Sequence, residues 1–232
     1  MELKRVVVTG LGAVTPLGNN PEETWQSMLA GKSGAAPITH FDTTQFKTQF
    51  ACEVKNLNIN DYIDRKEARK LDRYTQLALI SAIQGVKDAA IDLEKVDKNR
   101  VGVIYGVGIG GIKTFEDEVT YYAQHAEAGP KFNPFFIPKM IADIAAGQIS
   151  IQFGFHGPNY TQHQHVLHQQ MHWLLPSTRY VWARLISSLA VVLRLQSVLV
   201  VLVVSMLCMP SQPAMMTQNM LHVHSQQVVM AS

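Results

Sequence analysis

The chain has 232 residues, 20 Lys+Arg against 18 Asp+Glu, a formal net charge of +2 and two cysteines. That length holds one domain of ordinary size or two small ones, and the near-neutral balance gives no electrostatic footprint for nucleic acid or an acidic partner. Cys52 and Cys208 are far apart, which excludes a disulfide framework and a zinc pattern and suits a reducing compartment.

The N-terminus, MELKRVVVTGLGAV, has a basic start but no long apolar run with a small-residue cleavage site. It reads as a strand over Lys4–Thr9 rather than a signal peptide, which places the protein in the cytoplasm. Asn20-Pro21-Glu22-Glu23 then starts a helix, with Asn20 as N-cap, Pro21 at the first helical position and acids in the first turn. Gly31 stops it. Arg65–Ala90 is one long helical stretch, with Leu71, Tyr74, Leu77, Leu79, Ile80 and Ile83 on its apolar face. Val101, Val103 and Tyr105 alternate in the next strand. Thr114–Ala128 is a helix, Ile137–Gln152 is mostly helical and Gly157-Pro158 is a turn. Strands alternating with helices make this part α/β.

Two glycine clusters need a decision. Gly10-Leu-Gly12-Ala-Val-Thr15 follows a strand, but Thr15 stands where a dinucleotide fingerprint requires Gly or Ala. Pro16 also prevents a helix from starting at once, so no helix N-terminus is placed to receive a pyrophosphate. Gly106-Val-Gly-Ile-Gly-Gly111 lacks the Lys-Ser/Thr ending of a P-loop. It is either a tight strand-to-helix turn or a place where backbone approaches a ligand.

The composition breaks near residue 160. All 15 Gly and all 18 Asp+Glu precede it, and residues 161–232 contain no Gly, Asp, Glu or Lys. Ordinary usage would put about five Gly and about nine acids in a segment of that length. A soluble fold needs Gly at tight turns and acids on its surface. The break falls beside HQHVLHQQMHW, His163–Trp173, where His163, His165, His168 and His172 have spacings of two, three and four. A metal site is one reading of them. Leu185–Met209 resembles a membrane anchor, but Arg194 divides it and leaves a run too short to span.

Several segments carry a family resemblance. VVVTGLGAVTPLGN at Val6–Asn19, HFDTTQF at His40–Phe46, RKEARKLDRYTQ at Arg65–Gln76, GVGIGG at Gly106–Gly111 and NPFFIPKMIADIAAGQISIQFGFHGPN at Asn133–Asn159 resemble the N-terminal half of a 3-oxoacyl-[acyl-carrier-protein] synthase, an elongating condensing enzyme of the thiolase-like family. The resemblance runs over residues 3–160. It implies the N-terminal half of an α-β-α-β-α layered fold, homodimers, no cofactor and an acyl carrier protein as partner. It also implies a decarboxylating Claisen condensation of acyl-ACP with malonyl-ACP on a cysteine activated at a helix N-terminus. Neither nucleic acid nor a membrane is expected as a partner.

After Gly157-Pro158-Asn159-Tyr160 the nucleophile segment of that family does not follow. A shift of reading frame accounts for both breaks. Taking the third base of each codon from Gln164 to Trp173 with the first two of the next permits Ala-Cys-Ala-Ser-Ser-Thr-Asn-Ala-Leu. The same operation on Ser205–Thr217 permits Asn-Ala-Met-His-Ala-Leu-Ser-Thr-Arg-Asn-Asp-Asp, and on Val228–Ser232 it permits Arg-Asp-Gly-Phe. The tail histidines and valines are then alanine, serine and glycine codons read out of frame. Residues 161–232 are therefore not expected to be a genuine domain or to follow the fold. The chain as translated is expected to fold poorly and to be inactive, without its nucleophile and its second half. Cys52, in the strand-like FACEVK, does not replace that nucleophile. His40, His125 and His156 do not match the catalytic histidines and read as surface or turn residues.

Three features survive. Lys66, Arg69 and Lys70 are spaced i, i+3, i+4, a basic face on the long helix. On its own such a face is a solvated surface; the resemblance implies carrier-protein docking. By the same resemblance Ile109 gates the acyl tunnel, and Phe135 and Phe136 match the region that reaches the partner subunit's tunnel. Without it, core packing is the reading for all three. The competing function class is a non-catalytic binding protein whose apolar tail is genuine, membrane attachment being one form of it.

Overall fold

The computed structural model describes residues 7–163, 187–194 and 198–205 of the chain. Strand β1, Val7–Val14, runs on through the first glycine cluster rather than ending at Thr9. The reason is helix packing. A Cβ on Gly10 would lie 2.4 Å from the Gly85 carbonyl oxygen, and one on Gly12 would lie 2.0 Å from that of Ser81. The cluster thus serves close strand–helix contact.

Helix α1, Pro21–Leu29, starts on Asn20, whose side chain accepts from the Glu23 amide at 2.8 Å. Gly31, at φ 62°, follows its end. Two three-residue strands, β2 (Ala35–Pro37) and β3 (Phe50–Cys52), pair antiparallel as a separate small sheet.

The single helix expected over Arg65–Ala90 is two: α2, Arg65–Ala68, and α3, Arg73–Asp88. Asp72 causes the break. Its extended backbone and its side chain, which accepts from the Tyr74 amide at 3.1 Å, make it the N-cap of α3. The Gln76 amide nitrogen donates to the Ala68 carbonyl at 2.8 Å, which satisfies the end of α2.

Strand β4, Val101–Val107, is buried throughout. Helix α4 covers Ile112–Gln124, and Ala126–Ala128 continues only as a 3₁₀ turn, so the helix expected over Thr114–Ala128 begins and ends earlier. Helices α5, Phe136–Met140, and α6, Ile144–Phe153, replace the continuous helix expected over Ile137–Gln152. Ile141 is extended between them, with ψ 137°. After Gly154, in the left-handed region at φ 69°, the Gly157-Pro158 turn packs on Val101, with the Gly157 amide donating to the Val101 carbonyl at 3.0 Å. Strand β5, Asn159–His163, follows.

The tail contributes two further strands, β6 (Ser187–Arg194) and β7 (Val198–Ser205), where none is expected. The main sheet has the order β1-β7-β6-β4-β5. Strand β4 runs parallel to β5 and β6, and β7 is antiparallel to both β1 and β6. A run of Val and Leu is suited to interior strands whatever gave rise to it. Helices α3 and α6 cover the sheet, with Ala78, Leu79, Ala82, Val103, Tyr105, Ala145, Ala146 and Ile149 at the centre of the core.

Among the described residues, the outer edge of β1 is met by side chains rather than by a strand. The Leu11 amide donates to Asp88 at 2.8 Å and the Ala13 amide to Gln84 at 3.1 Å, both from α3.

Candidate functional site

A cleft of ≈ 900 Å³ opens beside the second glycine cluster. One wall carries Ile109, Ile112 and Phe115, from the glycine loop and α4. The other carries Met140, Ile141, Ala142 and Ile144, from the end of α5, the link that follows and the start of α6. Asp143, Asn159, Tyr160 and Thr161 add a polar side. A mainly apolar cleft with a few polar groups on one side suits a ligand with an aliphatic body and a polar end.

The glycine loop is the tight turn of the two readings. Gly110 has φ 90°, and a Cβ on Gly111 would lie 2.2 Å from the Lys139 carbonyl oxygen. The backbone that approaches closely is the chain's own: the Gly111 amide donates to the Met140 carbonyl at 3.0 Å. That contact presses the two walls together.

The start of α3 also holds both walls. Asp72, almost fully buried, accepts from the Thr114 hydroxyl on α4. The Tyr74 hydroxyl donates to the Ile141 carbonyl. Burial pushes the Tyr74 phenol up to about 12, and the charges of Asp72 and Asp143 act in the same direction. Tyr105, on β4 in register with Thr161, is fully buried and its phenol is raised by the same desolvation. Neither the Tyr105 nor the Thr161 hydroxyl has a hydrogen-bond partner among the described residues.

The six residues singled out by sequence fall in three places. Ile109 lines the cleft and is 71% exposed at its rim. Phe136 does not line it but stacks on Phe115, which does, at 6.3 Å, and on Phe132 at 5.7 Å. Phe135 caps α5 outside the cleft and is exposed. Lys66, Arg69 and Lys70 are not on one helix face, because α2 ends at Ala68. Arg69 is its C-cap and Lys70 lies in the turn that follows. Lys70 is tied to Glu67 at 2.6 Å, while Lys66 and Arg69 are exposed with no ion pair among the described residues.

Among the described residues no cysteine or histidine lines the cleft. Cys52 is half-buried at the end of β3, as the strand-like reading of FACEVK requires. His40 is exposed near Glu53, His125 stacks on Tyr121 at the end of α4, and His156 is exposed before β5. His163 ends β5; His165, His168, His172 and Cys208 lie outside the described residues. Among those described, no cluster of His, Cys, Asp or Glu is set to hold a metal, and no helix is long and apolar enough to cross a membrane.

Comparison with known proteins bears on the same stretch of chain. The family model described as "Beta-ketoacyl synthase, N-terminal domain" matches residues 3–163. The 3-oxoacyl-[acyl-carrier-protein] synthase 2 of Staphylococcus aureus (strain COL) is 46% identical over 157 residues, 67% of this chain and 37% of that protein. The protein of the same name from Synechocystis sp. is 41% identical over 160 residues, 68% of this chain and 38% of that protein. The chain therefore spans little more than a third of the curated relatives it matches. Among solved structures, the ishigamide ketosynthase/chain length factor superposes with TM-score 0.75 at 20% identity, covering 88% of this chain and 59% of that one. A ketosynthase solved in complex with its type II PKS acyl-carrier protein gives TM-score 0.72 at 20% identity, covering 88% and 63%. At such identity these two structures speak for the fold.

Proposed function

Because the chain belongs to the beta-ketoacyl synthase family through its N-terminal domain, we propose that it descends from an enzyme of fatty acid elongation and is itself a condensing enzyme without its nucleophile. The parent reaction joins acyl-ACP to malonyl-ACP with loss of CO2. A cysteine thiolate at a helix N-terminus takes the acyl group from its carrier thioester, and the carbanion left by decarboxylation attacks that new thioester. Preorganised donors stabilise the oxyanions that form. The cleft suits the aliphatic part of such a substrate, with Ile109 at its mouth. Lys66 and Arg69, unneutralised on an exposed corner, suit an acidic carrier protein; Lys70, held by Glu67, contributes less. Phe135 and Phe136 belong by the same reading to the tunnel of a second subunit in a homodimer. A cytoplasmic location goes with that role.

The observation that carries the loss of activity is the coincidence at the end of β5. The family match stops at His163. Gly, Asp, Glu and Lys vanish after residue 160, and a nucleophile motif is permitted one frame away from Gln164 onward. Domain boundaries at 1–160 and 161–232 follow from that coincidence.

One observation favours the alternative, a non-catalytic binding protein with a genuine tail: β6 and β7 hold interior places in the sheet. The two readings separate on sequencing genomic DNA across codons 155–170 and assaying both chains with acyl- and malonyl-ACP. The 232-residue chain should give no turnover above background. The frame-restored chain should condense, and in it Lys66→Glu should raise KM for carrier-bound substrate about tenfold with kcat nearly unchanged. Turnover by the 232-residue chain would refute the proposed loss of activity. DNA that stands as written, with no gain on restoring the frame, favours the binding protein.

A further inference from the structure

The cleft has two walls that meet at the N-terminus of one helix, and that junction assigns a role to a residue the family reading leaves without one. We propose that Tyr74 is a positioning residue that sets the width of the apolar cleft by latching the break between α5 and α6 to the start of α3. The inference rests on the acyl-site reading only for the class of ligand; the latch itself stands on the geometry.

Helix α5 ends in a segment that turns extended at Ile141, three residues before α6 begins at Ile144. A helix end leaves carbonyls without intrahelical partners. The Met140 carbonyl takes the Gly111 amide, and the Ile141 carbonyl takes the Tyr74 hydroxyl. Two residues earlier in the chain, Asp72 takes the Thr114 hydroxyl of α4. Asp72 is also the N-cap of α3, accepting from the Tyr74 amide. One turn of backbone therefore fixes Thr114 on the first wall and Ile141 on the second. The apolar side chains between them, Ile109, Ile112 and Phe115 against Met140 and Ile144, are held at a set separation. The Tyr74 ring is half-buried while its bond to the Ile141 carbonyl lies on the exposed side, and the phenol, raised by burial of the ring, stays protonated across the neutral range.

The arrangement differs from simple core packing in what its removal changes. Tyr74→Phe keeps the ring and deletes one hydrogen bond, so the fold is retained while the α5–α6 link loses its anchor. Thr114→Val deletes the matching bond on the opposite wall. Both effects are local to the wall concerned.

The test uses the full 232-residue chain, with hydrogen exchange followed by mass spectrometry and with cis-parinaric acid, a fluorescent fatty acid, as the probe. In Tyr74→Phe, exchange across residues 140–147 should quicken about tenfold while residues 78–86 of α3 keep their protection. Probe affinity should fall about fivefold, the worth of one hydrogen bond. In Thr114→Val the quickening should move to residues 112–118, with a similar loss of affinity. Unchanged exchange at 140–147 in Tyr74→Phe overturns the latch. So does an equal rise everywhere, which would make Tyr74 an ordinary stability residue. If the local exchange contrast is found but the unsubstituted chain does not bind the probe, the latch holds and the acyl reading of the cleft falls.

Discussion

Residues 7–163 and the tail strands β6 and β7 share one sheet, yet they are specified in different ways. In the first region single residues decide the backbone. Gly10 and Gly12 let α3 cross β1, Asn20 and Asp72 start helices, and Gly154 ends α6 in the left-handed region. Strands β6 and β7 have none of these devices. SSLAVVLR and VLVVLVVS contain no glycine, no acid and no capping pattern, and their places follow from pairing with β1 and β4. Local signals and tertiary pairing agree in the first region, whereas pairing acts alone in the second. Composition can put a segment in a sheet, but it does not build a site there.

The largest effect that sharpens this contrast is at Gly12. A methyl group there would sit 2.0 Å from the Ser81 carbonyl oxygen and 2.7 Å from the Gly85 amide nitrogen, both backbone atoms of α3. Neither can yield without moving the helix. Gly12→Ala should destabilise the chain by about 3 kcal/mol. Thermal unfolding followed by circular dichroism should show a midpoint about 6–12 °C lower. A midpoint within about 2 °C of the parent would mean that β1 and α3 are not packed as described.

A smaller effect comes from the two buried phenols. Tyr74 is raised to about 12 and Tyr105 is raised in the same direction, chiefly by desolvation. In the unfolded chain both ionise near the ordinary tyrosine value of about 10. The folded state then holds more protons than the unfolded state between those values, so stability falls as pH rises. The contribution is full below pH ~10 and is lost progressively toward pH ~12. Because Tyr74 is only partly buried, a loss of about 1–2 kcal/mol is expected from it. Urea midpoints at pH 8 and pH 11 should show the drop, and Tyr74→Phe should lessen it. A flat profile would contradict the burial of these hydroxyls.

How much of this was legible depends on where the signals lie. The start of α1 was readable because Asn20, Pro21 and two acids state it locally, and the fold class was readable because strands and helices alternate over residues 7–163. The break before α3 has a local signal that the apolar spacing masks: Asp72 stands directly before RYTQLALIS, in the N-cap position, but the apolar spacing across it reads as continuous. The break at Ile141 had no comparable signal, because Met140-Ile141-Ala142 suits a helix. It is made by Gly111 and Tyr74, residues distant in sequence. That is also why the cleft was only partly foreseen. Ile109 is legible, whereas Tyr74, Asp72 and Thr114 act through contacts between elements that no spacing reveals. The basic triad reads as one helix face by a periodicity that the end of α2 at Ala68 interrupts.

The smallest expected effect bears hardest on the tail. If β7 holds its place by composition alone, the order of its residues carries little information, since an aliphatic strand without polar alternation specifies its register weakly. A chain in which residues 198–205 keep the same side chains in another order should unfold within about 0.5 kcal/mol of the parent. The contrast with β1 is the point, for there a single added methyl at Gly12 is expected to cost several times more. A reordered tail that unfolds the protein would show that these valines and leucines are placed individually, as selected sequence is. An out-of-frame origin for residues 161–232 would then be hard to sustain, and the binding-protein reading would gain what the inactivated enzyme lost. A reordered tail that changes nothing leaves the strands as fillers of a slot between β1 and β4, a slot that β7 occupies through its pairing with Val7–Val14 and not through any feature of its own sequence.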